Sequence, residues 1–109
     1  EPALTKLHEV EKVAGRFPGK RALNQDLHLI GGRVRLLLGD LEDALRDFSK
    51  AVSLAMSPLG RVHAFYHLSG VLRQKGDPVS ARNHLEFVVK SAPDTYLARR
   101  AAALLQQLS

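Results

Sequence analysis

Apolar residues recur along this chain at spacings of three and four positions, as they do on the buried face of an α-helix. The clearest examples follow two Gly-Asp pairs with the same spacing: Ala44, Phe48, Ala51 and Ala55 after the first pair, and Ala81, Leu85, Val88 and Ala92 after the second. Long alternating runs of β-branched residues, which are typical of strands, do not occur in the sequence. The pattern therefore predicts an all-α protein.

Turn residues divide the pattern into about six helices. Gly39 and Gly76 supply the left-handed position that ends a helix, and the aspartate after each can cap the next helix. Phe17-Pro18-Gly19 and the segment 57–60 are expected to interrupt the chain, because a residue before proline avoids helical geometry. The predicted helices cover about residues 3–16, 22 or 24 to 38, 41–55, 61–75 and 78–91, with a sixth that Asp94 or Thr95 caps.

The composition changes this picture little. The 109 residues suffice for one domain with a modest core, and no apolar run approaches the ~20 residues of a membrane-spanning helix. The absence of cysteine excludes disulfides and thiolate metal sites. A formal charge of +5, from 16 Lys and Arg against 11 Asp and Glu, favours acidic partners, nucleic acid among them. No basic run exceeds two residues, so the chain has no basic nucleic-acid-binding tail.

The two Gly-Asp units resemble the tetratricopeptide repeat (TPR), a helix pair with a small residue in helix A, a Gly-Asp turn, alanines in helix B and a final proline. Residues 39–51 match the second half of this motif, and residues 68–93 match a whole repeat. Besides the turns, the matching residues are Ala44, Phe48 and Ala51 in the first unit and Ser69, Ala81 and Pro93 in the second. In the second unit Leu85 and Val88 replace the usual aromatic residue and alanine.

The resemblance implies a TPR-like solenoid, an α-α superhelix of antiparallel helix pairs that forms a single domain over residues 1–109. Its parts are a partial repeat or N-terminal helix at 1–20, repeats at 22–58 and 60–93, and a C-terminal capping helix at 94–109. Because the opening segment resembles helix B of an incomplete repeat, we expect that the array extends upstream.

The first repeat departs from the family pattern. The spacing of the turn glycines, 76 − 39 = 37, exceeds the ~34 residues of the family. Part of the excess is assigned to helix A of the first repeat, where Ile30-Gly31 is matched with Leu68-Ser69, leaving one extra residue before Gly39. A Gly31-Gly32 pair inside this helix indicates either close packing or a weak point.

In TPR arrays the A helices line a concave groove that holds peptides. The resemblance places Gln25, His28, Gly32 and Arg35 in this groove from the first repeat, His63, Tyr66, Gly70 and Arg73 from the second, with His67 beside them and Arg100 in the last helix. Because guanidinium groups bind carboxylates through paired hydrogen bonds, we expect an acidic or C-terminal carboxylate-bearing peptide as ligand. The alternative is that these arginines are solvated or paired with neighbouring Asp and Glu.

Other chemistry finds little support in the sequence. His63 and His67 have a spacing that can chelate a metal, but no third ligand is evident. We expect these two histidines to be polar groove residues that titrate near neutral pH. No phosphate-binding loop or nucleophile motif is present, so neither a cofactor nor an enzyme activity is predicted. The sequence therefore predicts a protein–protein interaction scaffold. Two alternatives stay open: nucleic-acid binding through the basic surface, which is less favoured, and homo-oligomeric assembly through the terminal helices.

Overall fold

The computed structural model describes residues 2–14 and 21–108. These residues form six helices: α1 (Pro2–Ala14), α2 (Arg21–Leu37), α3 (Leu41–Leu54), α4 (Pro58–Gln74), α5 (Pro78–Ser91) and α6 (Tyr96–Leu108). No strand occurs among them, which confirms the all-α prediction. The predicted end of the first helix, near Phe17-Pro18, lies outside the described residues.

The two Gly-Asp turns share one hydrogen-bonded geometry. Gly39 adopts a φ of +82°, and the N–H of Asp40 donates to the carbonyl oxygen of Arg35 at 2.9 Å. This bond closes a Schellman motif, which satisfies a carbonyl at the end of α2. The Asp40 carboxylate then accepts a bond from the N–H of Asp43 at 3.4 Å and starts α3. The turn at Gly76 repeats this geometry with a φ of +84°.

Helix α4 begins at Pro58, three residues before its predicted start. The hydroxyl of Ser57 accepts a hydrogen bond from the N–H of Gly60 at 3.0 Å, and Pro58 occupies the first helical position, where an N–H is not needed. The segment expected to interrupt the chain is therefore mostly the first turn of α4. At α6 the cap is Thr95, whose hydroxyl accepts a bond from the N–H of Ala98 at 3.2 Å.

The helices form two rows. Each helix packs against its neighbours in the chain, and in addition α2 contacts α4 and α4 contacts α6. In the part of the chain that the structure describes, α3 and α5 do not contact each other. Thus α2, α4 and α6 lie side by side along one face of a stack that measures 43 × 29 × 19 Å.

Two groups of buried side chains hold the stack together. The first joins α3 to α4 and consists of Ala44, Phe48, Leu68 and Val71; the second joins α4, α5 and α6 and consists of Val62, Leu85, Val88 and Ala101. Alternation of alanines with larger side chains lets neighbouring helices approach while the space between them stays filled. None of the described helices combines the length and the apolar character that crossing a membrane requires.

Helices α2 and α3 pack closely at Gly32. A β-carbon on Gly32 would lie only 2.5 Å from a ring carbon of Phe48, well inside van der Waals contact. Of the two explanations for glycines within α2, the structure supports close packing at this position.

Candidate ligand-binding face

The face formed by α2, α4 and α6 centres on His67. The imidazole of His67 stacks on the ring of Phe48, with centroids 5.5 Å apart and an interplanar angle of 18°. The ring of Tyr66 stands edge-on to the imidazole at 5.4 Å. Because Phe48 is fully buried, these contacts hold His67 at the boundary between the core and the surface.

The charges around His67 are positive. Burial lowers the pKa of His67 to about 4, and basic groups from all three helices act in the same direction. These groups are Arg33 of α2, His63 of α4 and Arg100 of α6. No carboxylate is among the groups that shift the pKa of His67. His67 is therefore neutral at neutral pH, and the prediction that it titrates near neutrality is wrong, because burial outweighs the ordinary basicity of imidazole.

Arg100 is held between two tyrosine rings. Its Cζ atom lies 5.8 Å from the ring centroid of Tyr66 and 5.6 Å from that of Tyr96. The negative faces of the rings attract the guanidinium and restrict its motion. Arg100 forms no ion pair with any side chain that the structure describes, so its N–H donors remain available to a ligand.

A second positive position lies farther along α4. Arg73 follows Tyr66 by two helical turns, about 10 Å along the helix axis. Like Arg100, it forms no ion pair with any described residue. It borders a shallow depression of about 480 Å³ that is lined by Gly70, Arg73, Gln74, Gly76, Pro78 and Leu108. The face thus presents positive charge at two places, and at one of them the charge lies over aromatic rings.

Three predicted site residues of α2 have other contacts. Gln25 is buried, and its Nε2 donates to the carbonyl oxygen of Gly60 at 3.0 Å. His28 Nδ1 lies 2.9 Å from one carboxylate oxygen of Asp47, and the largely buried Arg35 guanidinium pairs with the other oxygen. These contacts direct the three side chains toward α3 and the start of α4 rather than into the group around His67.

The buried Asp47 is the centre of a separate polar cluster. Besides its two partners in α2, the cluster reaches α1, because Nη2 of Arg35 lies 3.5 Å from Nε2 of His8. The neighbouring Arg46 pairs with Asp43 at 2.8 Å. Each arginine of this cluster thus pairs with a carboxylate, and the cluster joins three helices.

Arg33 was not among the predicted site residues, although its charge acts on His67. The reason is the register chosen for α2, which placed one extra residue before Gly39. Counting back seven residues from each turn glycine instead reaches Gly32 and Ser69, and both are buried. In that register Arg33, the residue after Gly32, lies on the ligand side. The spacing between the buried small residue and the turn glycine could therefore have identified Arg33 from the sequence.

His63 lies close enough to His67 to lower its pKa, but the described residues contain no group of three or more His, Asp or Glu side chains that could hold a metal.

Comparison of the chain with models of protein families, with curated proteins and with solved structures finds no match.

Proposed function

We propose that this chain is a protein-interaction module of the TPR type, which binds an acidic peptide segment on the face of α2, α4 and α6. The observation that carries the proposal is the guanidinium of Arg100, which lies over the rings of Tyr66 and Tyr96 and forms no ion pair with a described residue. A carboxylate of the ligand supplies the missing negative charge through charge-assisted hydrogen bonds.

The side chains of this face have different roles in binding. The guanidinium of Arg100 is already held by two rings, so it loses little conformational freedom when a carboxylate binds. The partly buried Tyr66 contributes apolar contact area beside it. Arg73 binds a second acidic group about 10 Å away along α4, which orients the peptide along the helix.

The packing order supports the solenoid part of the proposal. Helices α2, α4 and α6 touch in sequence, whereas the described residues of α3 and α5 do not meet. Helices that lie closer together on one side give a stack that curves toward that side. The face of α2, α4 and α6 is then the inner, concave surface, on which repeat proteins of this kind hold extended peptides.

A titration tests the proposal. A fluorescent peptide rich in Asp and Glu is titrated with the protein and compared with its Asn/Gln counterpart by fluorescence anisotropy. The double variant Arg73→Ala/Arg100→Ala should bind the acidic peptide at least about tenfold more weakly. The matched control Arg46→Ala/Arg61→Ala removes the same charge elsewhere on the surface and should change affinity less than about threefold. Arg35 is unsuitable for this test because it is the partner of the buried Asp47.

Two results would count against the proposal. Equal weakening by both double variants would show general charge attraction instead of a defined face. Tighter binding to a single-stranded oligonucleotide, with a steep loss of affinity on adding salt, would favour the nucleic-acid alternative.

A further inference from the structure

An exposed row of aliphatic side chains runs along α2. Leu23, Ile30 and Leu37 are 44%, 50% and 88% exposed, and they follow one another at seven-residue intervals. Side chains at this spacing nearly align along an α-helix, so they form a row about 21 Å long. We call these three residues the α2 ridge. Large aliphatic side chains in such a row are costly to leave in water.

The ridge continues into an apolar cleft beside α1. The cleft has a volume of about 210 Å³ and is lined by Ala3, Lys6, Leu7, Leu27, Ile30 and Val34. Leu27 and Val34 alternate with the ridge residues at intervals of three and four, which completes the spacing of a helix-packing seam. The ridge and cleft together therefore have the form of one half of a helix–helix interface.

The ridge is complementary to itself. When two copies of α2 pack antiparallel about a two-fold axis at Ile30, Leu23 of each copy meets Leu37 of the other. Because the spacing is equal on both sides of Ile30, every ridge residue finds an apolar partner. An interface between identical copies related by a two-fold axis requires this kind of self-complementarity.

The charges that flank the ridge follow the same symmetry. Asp26 and Arg33 lie on one side of the ridge, four residues before and three residues after Ile30. Both are exposed, and neither has an ion-pair partner among the described residues. In the antiparallel arrangement Asp26 of one copy lies opposite Arg33 of the other, within about 1.5 Å along the axis. Two reciprocal ion pairs therefore border the apolar seam.

We propose that the chain forms a weak symmetric dimer through the α2 ridge, with a second copy of α2 as its occupant. This goes beyond the proposed peptide binding and does not depend on it, because Arg73 and Arg100 lie on other helices. Arg33 is common to both surfaces. A contact of one helix pair is small for a specific interface, so association is expected only at high protein concentration.

Sedimentation equilibrium from about 10 µM to about 1 mM measures the association. The wild-type mass should rise toward twice the monomer value. Ile30→Asp and Leu37→Asp should each abolish the rise, because they bury a charge within the apolar seam. Val79→Asp is the control, since Val79 is 65% exposed on α5, a helix that does not contact α2 in the described part of the chain. Circular dichroism verifies that each variant keeps its helices.

Charge reversal then tests the orientation. Asp26→Arg and Arg33→Asp should each weaken the homodimer about tenfold, because each places like charges opposite each other at both pairs. An equimolar mixture of these two variants should recover dimer, since opposite charges then face each other at both positions. A wild-type protein that stays monomeric throughout, a dimer that tolerates Ile30→Asp, or a mixture that does not recover would each overturn the proposal.

Discussion

Replacement of Gly32 by alanine probes the close packing of α2 against Phe48 of α3. Its β-carbon would lie 2.5, 2.7 and 2.7 Å from three ring carbons of Phe48, a side chain that is itself fully buried. Neither the ring nor the backbone can move without disturbing the core between α3 and α4. Overpacking of this kind costs about 1–3 kcal/mol. Replacement of a glycine by alanine within a helix recovers up to about 1 kcal/mol.

The expected result is a net loss of about 1–2 kcal/mol in the free energy of unfolding, which lowers the melting temperature by roughly 5–15 °C. Urea unfolding followed by far-UV circular dichroism measures it. Gly70→Ala is the matched control in α4, where the nearest atom to the new β-carbon is a Leu36 methyl carbon at 3.9 Å. This variant should gain about 0.5–1 kcal/mol. A Gly32→Ala protein as stable as Gly70→Ala would refute the packing argument.

Three further predictions concern stability. Asp47→Ala should cost about 3 kcal/mol, because it removes the buried carboxylate that pairs with the largely buried Arg35 guanidinium; the double variant Asp47→Leu/Arg35→Met should lose much less than the sum of its single changes in a double-mutant cycle. The pKa of His67 is about 4 in the folded state against an ordinary 6.5. Its contribution to the free energy of unfolding is therefore fully present above pH 6.5 and is lost as the pH falls toward 4. The full difference corresponds to about 3.4 kcal/mol, which solvent screening of the partly exposed ring reduces to about 2 kcal/mol. His67→Phe should remove this part of the pH dependence in urea titrations, and a slope unchanged by the substitution would contradict it. Ser57→Ala should cost about 1 kcal/mol and Ser57→Gly only a few tenths, since glycine is tolerated at an N-cap; equal losses in thermal unfolding would argue against the cap.

The helices themselves could be predicted closely because their signals are local. Glycine at positions 39 and 76 and the aspartate after each fix where one helix ends and the next begins, through hydrogen bonds within a few residues of the chain. The error at Pro58 is also local. Proline both stops a preceding helix and suits the first turn of a new one, and the Ser57 cap decides for the second role.

The candidate site depended on contacts between helices, which a local pattern does not contain. An offset of one residue in the register of α2 rotates the predicted ligand side by about 100° around the helix axis. The rotation brings Arg33 onto the ligand side in place of Gly32 and takes Arg35 away from it. The burial of Asp47 between α2 and α3 determines which arginine is neutralised. The low pKa of His67 likewise arises from the packing of Phe48 and from basic groups on three helices.

The sequence by itself thus determined the all-α class, the six helical segments and the repeated turn, because hydrogen bonding and backbone preference act over a few residues. Only the tertiary structure decided which charges are paired and which face solvent. Ion pairing and desolvation depend on distances between side chains of different helices, and these distances are set by how α2, α4 and α6 rotate and pack against their neighbours.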